Sequence, residues 1–244
     1  MAACGDGTGP TTGAQVSLTF ASSVAAGAAA APSFGGPMAV PFTDGVNTLE
    51  ITSVKVVLRE IELERVEIAD CDVEPAECED FEIGPVLIDL SLDGTTNTNI
   101  SVAVSAGTYD EIEFDVHKAS NDDPEDAAFL LANPTMESKS IIVEGTYNTV
   151  AFTYETDLNE EQELDLVPNL AIGEDAPPTN VTIRFDVSTW FLDGNGNLFD
   201  PATANKGEPN ENVAKDNIKN SIEAFEEEDK DGDDTDESEM SMNR

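Results

Sequence analysis

The sequence predicts a mainly β protein: a two-sheet antiparallel β-sandwich of immunoglobulin or transthyretin type, carrying one C-terminal helix. Three observations predict it. Apolar and polar residues alternate with period two over many short runs, the pattern of strands with one buried face. Gly, Pro, Asn and Asp separate these runs at short intervals, which suits strands that return beside one another. Only the stretch after Pro209 places its apolar residues at helical spacing.

Taken in order, residues 1–14 are small and polar and read as a flexible tether, and residues 15–208 as the sandwich. Val16, Leu18 and Phe20 make a first strand, and the small-residue stretch 22–38 reads as a surface loop. From Leu49 to Ile68 the alternation slips phase: Val54, Val56 and Leu58 oppose the parity of Leu49, Ile51, Ile61 and Leu63. Slips of this kind predict bulges, or a bend near Arg59-Glu60. Phe81 to Leu92 is a strand interrupted at Gly84-Pro85. The centre of the fold is Asn99 to Val116, where Ile100, Val102 and Val104 precede Ala106-Gly107-Thr108-Tyr109, and Ile112, Phe114 and Val116 follow. These two runs fold back as stacked layers, and a Tyr just past such a bend turns its hydroxyl onto nearby backbone.

Ser120 to Pro134 is an acidic loop with a helical turn around Ala127 to Leu131. Ser140–Val143 and Thr146–Tyr154 are strands, the second with Val150, Phe152 and Tyr154 inward. Glu160–Leu166 is another, ended before Pro168, and Val181 to Val187 is the cleanest alternation of all. Val213, Ile218, Ile222 and Phe225 place a helix over 209–228 on the sandwich, and residues 229–244 form an acidic tail.

The charge is the outlying property. The 244 residues hold 11 Lys and Arg against 51 Asp and Glu, a net charge of −40. Spread over the surface of a folded monomer of this size, that is roughly one uncompensated charge per 260 Å². Their mean spacing of about 16 Å compares with a Debye length of about 8 Å at physiological salt and about 3 Å at 1 M. Such a coat repels nucleic acid and anionic lipid headgroups and suits a protein of a salty medium, one that binds divalent cations, or both.

Three cysteines are present. Cys71 and Cys78 bracket D-V-E-P-A-E and are expected to form a disulfide worth roughly 2.5 kcal/mol on chain-entropy grounds, which places the chain in an oxidising compartment. A single His in the chain leaves a conventional zinc site at that pair unfilled.

Calcium has two candidate places. Phe225 followed by Asp229-Lys-Asp231-Gly-Asp233 resembles the entry to an EF-hand loop, although Asp234, Asp236 and Met240 stand where that loop needs Gly, an aliphatic residue and Glu. Asp193, Asn195 and Asn197, with Asp200, also offer oxygen side chains, but Asp-Gly and Asn-Gly are first of all hairpin-turn chemistry, which is the reading adopted there. No catalytic residues are assigned. His117 follows Val116 on the polar parity and reads as a surface residue, and neither G-x-S-x-G nor a phosphate-binding glycine loop occurs. Acids are too abundant for any one carboxylate pair to stand out.

Ala2-Ala3-Cys4, followed by G-D-G-T-G-P, resembles the end of a bacterial lipoprotein signal, and this implies a lipid anchor on Cys4. With S-A-G-T-Y-D-E-I-E-F-D-V, W-F-L-D-G-N-G-N-L-F-D and N-I-K-N-S-I-E-A-F-E, it resembles a group of bacterial envelope lipoproteins built on a domain without an assigned activity. The G-T-Y bend is also similar to transthyretin-like and carboxypeptidase-regulatory sandwiches. The resemblance spans residues 14 to 228 and implies a non-enzymatic envelope module, periplasmic or extracellular, that meets the membrane only through Cys4. The expected partner is a protein or glycan at the cell surface, and the alternative is a Ca²⁺-binding structural protein.

Overall fold

The computed structural model describes residues 14–23, 40–66, 83–92, 97–173 and 179–227. Cys4, Cys71, Cys78 and the tail with Asp229, Asp231 and Asp233 lie outside the described residues, as do most of the 22–38 stretch and the end of the stretch leading to Ile68.

Two sheets stack on one core. The smaller has the order Ile222–Glu227 (β11), Thr179–Asp186 (β10), Ala14–Ser23 (β1) and Asn97–Val104 (β5). The larger follows the path Val150–Thr156 (β8), Ile141–Tyr147 (β7), Thr48–Arg65 (β3), Gly107–Val116 (β6) and Glu160–Ile172 (β9). Val40–Thr43 (β2) and Val86–Asp89 (β4) also pair with β3. One pairing departs from an all-antiparallel sandwich: β1 runs parallel to β10, with Val16 opposite Thr179 through Ser23 opposite Asp186. Two strands so far apart in sequence can meet in either direction, because no tight turn joins them.

The core fills from both layers. Leu18 and Phe20 of β1 and Ile183 and Phe185 of β10 meet Val56 and Leu58 of β3 and Ile112 and Phe114 of β6, all buried. The run 99–116 crosses between layers as expected, with β5 in the smaller sheet and β6 in the larger. At the crossing, the Tyr109 hydroxyl donates to the carbonyl of Ser105 at 2.8 Å while its ring is buried. Tyr109→Phe is therefore expected to cost about 1 kcal/mol, read from urea unfolding with an unchanged m-value.

β3 organises the larger sheet. Its phase slips are bulges, one between Ile51 and Ser53 and one between Arg59 and Glu62, where Glu60 takes φ +53°. Along one edge lie β2 and β4; along the other, β7 pairs with residues 49–56 and β6 with residues 58–65. These last two meet end to end at Val57, whose N–H donates to Ser140 and whose carbonyl accepts from His117. Residues 118–139 are thus an excursion between two collinear strands. It contains the helix Ala127–Ala132 (α1), at the predicted position.

Three local expectations are corrected. Val150 is 68% exposed, whereas Phe152 and Tyr154 are buried. It follows the tight turn Asn148-Thr149, both at positive φ, and sits past the rim of the core. β9 does not stop before Pro168 but runs on to Ile172, absorbing residues 166–169 as a bulge opposite Asp110. The C-terminal helix is shorter than predicted: Glu211–Lys219 (α2), after which Ile222–Glu227 is strand. Ile222 to Glu227 is too short for its period to be read from sequence, and the open edge of β10 takes it as a partner. Ser221 fixes the break, its hydroxyl accepting from the Trp190 indole N–H at 2.7 Å and donating to the Ile218 carbonyl at 2.6 Å. α2 is held to the sandwich by Asp157, which sits 2.6 Å from Lys206 and 2.8 Å from Lys215. Those two ammonium groups pull its carboxyl down to about 2.

Candidate functional site

The outer face of the larger sheet, turned away from the smaller one, carries two adjoining features: an acidic surface and a capped, buried cluster. The first follows from strand alternation. With Tyr109, Ile112, Phe114 and Val116 inward, β6 turns Glu111, Glu113 and Asp115 outward. Glu62 and Glu64 of β3 stand opposite Glu113 and Glu111. Asp165, Glu163 and Glu161 of β9 stand opposite Glu111, Glu113 and Asp115. The result is a set of cross-strand rows such as Glu62–Glu113–Glu163, with Arg59 at one end and Arg65 at the other. Like charges directly opposite repel, and the central carboxylates feel it most.

Glu113 is pushed up to about 7, first by loss of solvent and then by Glu161, Glu62 and Glu64. Glu111 is raised likewise, by loss of solvent and then by Glu64, Glu163 and Asp165. Glu64, Glu111 and Glu113 bring carboxylate oxygens within 4.8 Å of one another. The pH dependence follows from linkage. Glu113 ionises near its ordinary 4.5 in the unfolded chain and near 7 in the fold, so stability falls as pH rises through that window. Glu113→Gln should raise the melting temperature at about pH 8 and change nothing at about pH 4, with the gain shrinking in molar salt. Paired melts of the two proteins measure this.

The second feature overturns the surface reading of His117. The residue has the outward parity expected, yet it is 4% exposed and Asp126 is fully buried. The cause is the 118–139 excursion, which folds back over the sheet. Its Ala119, Phe129, Leu130 and Met136 close on Val57, with Leu87 and Ile142 beside them. Asp126 comes down on the imidazole, its two oxygens 2.8 and 2.9 Å from Nε2 of His117, and accepts the Ser120 N–H at 2.7 Å. Nδ1 is buried without a hydrogen-bond partner. The imidazole is thus enclosed beneath the excursion, with Nε2 turned to Asp126.

Arg59, at the β3 bulge, binds the same excursion. Its guanidinium lies 2.9 Å from Asp123 and 3.0 Å from Glu60, with Asp115 and Glu125 each at 4.0 Å. The Glu125 N–H and then Arg59 hold Asp123 below the usual carboxylate range. His117, Asp123 and Asp126 each bring a donor atom within 4.8 Å of the others.

Of the sequence candidates, only Asp193, Asn195, Asn197 and Asp200 fall among the described residues, in the turn after β10 and the residues just beyond it. Asp193 spends its carboxylate on its own turn, accepting from the N–H of Asn195 at 2.8 Å and of Asn197 at 2.9 Å. The Asn197 side-chain amide donates to it as well, which is turn chemistry. His117 and Asp126 were legible only indirectly. The signal was the apolar set Phe129, Leu130 and Met136 inside an otherwise acidic loop, which has to cover something.

No family profile and no curated protein matches this chain. Among solved structures, MbnP from Methylosinus trichosporium is similar at a TM-score of 0.43 and 11% identity, over 87% of this chain and 98% of that one. A similarity of that size carries no argument about function.

Proposed function

We propose that the protein is a non-enzymatic binding module of the cell envelope, tethered through Cys4, that receives a basic partner on the acidic outer face of its larger sheet. The observation that carries this reading is the set of carboxylate rows centred on Glu113, whose mutual repulsion a cationic surface would relieve. The partner chemistry that fits is a protein segment rich in Lys and Arg. The same rows gain from high ionic strength, in keeping with a salty medium.

The test is binding of a Lys/Arg-rich peptide to the full chain and to the triple variant Glu62→Gln, Glu113→Gln, Glu163→Gln. Removing the row should weaken binding by about tenfold or more and flatten its salt dependence. The control removes equal charge away from that row, with Glu50→Gln, Glu144→Gln and Glu208→Gln. If both triple variants bind alike, the row is not the docking site. Mass spectrometry of the native protein addresses the tether: an unmodified Cys4 thiol rules it out.

A second reading, a Ca²⁺-binding structural protein, rests on the Glu64, Glu111 and Glu113 group. It requires millimolar calcium to raise the melting temperature relative to EDTA, since a ligand held only by the folded form stabilises it. An unchanged melt ends that reading.

A further inference from the structure

We infer that the groove between α1 and β4 takes a bulky apolar side chain carried by the same Lys/Arg-rich segment that the acidic face receives. The inference rests on the reading of that face given above, and it adds the contact that fixes the partner's register there.

The groove has a local cause. α1 comes down on the larger sheet through Phe129 and Leu130, which close on Val57. Ala128, next to them and exposed, lines the groove with a methyl group and leaves the space unfilled. Pro85 and Leu87 line it from the side of β4, and Ile100 of β5 lines it from the smaller sheet. The volume is about 580 Å³, inside the range of about 300–1,000 Å³ typical of ligand sites and ample for one aromatic or leucine side chain. Burying such a side chain against this lining is worth about tenfold or more in affinity.

Charge decides what carries that side chain. Glu125 is the one charged residue among those lining the groove, and its side chain is 71% exposed. Its cation, Arg59, stands 4.0 Å away and is drawn more closely to Asp123 and Glu60, at 2.9 and 3.0 Å. Asp115, the end of the outward row of β6, is also 4.0 Å from Arg59. Four carboxylates around one guanidinium leave the mouth of the groove negative and join it to the acidic face. A purely apolar partner leaves these carboxylates unanswered, and a purely basic one leaves the groove empty. An apolar side chain flanked by Lys or Arg answers both, as an anchor within a charged rim.

Two lysine-rich peptides, identical except for a central Phe or Ala, test this on the full chain. The parent should bind the Phe peptide about tenfold or more tightly than the Ala peptide. Ala128→Trp fills the groove from an exposed position and should melt as the parent does. It should bring the Phe peptide down to the affinity of the Ala peptide and leave the Ala peptide unchanged. The Glu62, Glu113, Glu163 triple Gln variant should weaken both peptides and keep the ratio between them. Equal binding of the two peptides by the parent overturns the groove, and the acidic face stands if the triple variant still weakens both. Binding of neither peptide overturns the two readings together. An Ala128→Trp protein that weakens both peptides alike overturns the groove as well. Sedimentation of the parent alone covers the other occupant: self-association that Ala128→Trp abolishes gives the groove to a second copy and overturns the peptide.

Discussion

Asp126→Ala is expected to destabilise the protein by about 3–5 kcal/mol, the cost of taking the shared acceptor from two N–H groups beneath the excursion and loosening the packing it holds. The carboxylate is fully buried, and its removal leaves the buried Nε2 of His117 and the part-buried Ser120 N–H without their acceptor. The loss spreads because Asp126 pins the excursion to the sheet. Without it, Phe129, Leu130 and Met136 lose their hold on Val57, and Arg59–Asp123 remains as a half-exposed tie. Urea unfolding measures the change, and a drop in melting temperature of roughly 10 °C should accompany it. Asp126→Asn, which keeps acceptor capacity, should lose clearly less. Equal losses for the two variants would mean that the shape and acceptor capacity kept by Asn contribute nothing beyond the charge that both variants remove.

Phe191→Ala should be of similar size, about 3–5 kcal/mol, for a different reason. Phe191 is buried where the turn after β10 meets the larger sheet, and three rings stand edge-on to it. Tyr154 is at 5.2 Å, and Phe152 and Phe199 are each at 6.1 Å. Truncation opens a cavity that rings fixed on β8 cannot collapse into, and it removes three favourable edge contacts. Phe191→Leu keeps most of the volume and should cost about 1.5 kcal/mol or less. Phe199→Ala, at the half-buried rim, should fall between. Near-ultraviolet circular dichroism of neighbouring Trp190 gives a second readout of the loosened packing.

The parts of the fold that were legible in the sequence share one property: a local pattern sufficed to specify them. Alternation placed the strands, the slips in Leu49–Leu63 placed the bulges of β3, and Gly107-Thr108-Tyr109 placed the corner. What escaped depended on distant chain. The parallel contact of β1 with β10, and the conversion of Ile222–Glu227 from helix to strand, are both decided by which edge stands open. The site behaved likewise. The outward acids of β6 and β9 follow from parity alone, but their facing one another across strands needs the register. His117 has the parity of an exposed residue and is buried by a segment up to some twenty residues downstream of it, which no alternation rule anticipates.

The bulge of β9 has a last consequence, for self-association. Among the described residues β9 is the last hydrogen-bonded strand of its path in the larger sheet, and a terminal strand is where a second copy would add to extend a sheet into a fibril. Residues 166–169 interrupt its ladder with β6, and Pro168 has no N–H to offer an incoming chain. In acid, where the carboxylate coat discharges and no longer keeps molecules apart, this kink in one strand still denies polymerisation a straight template.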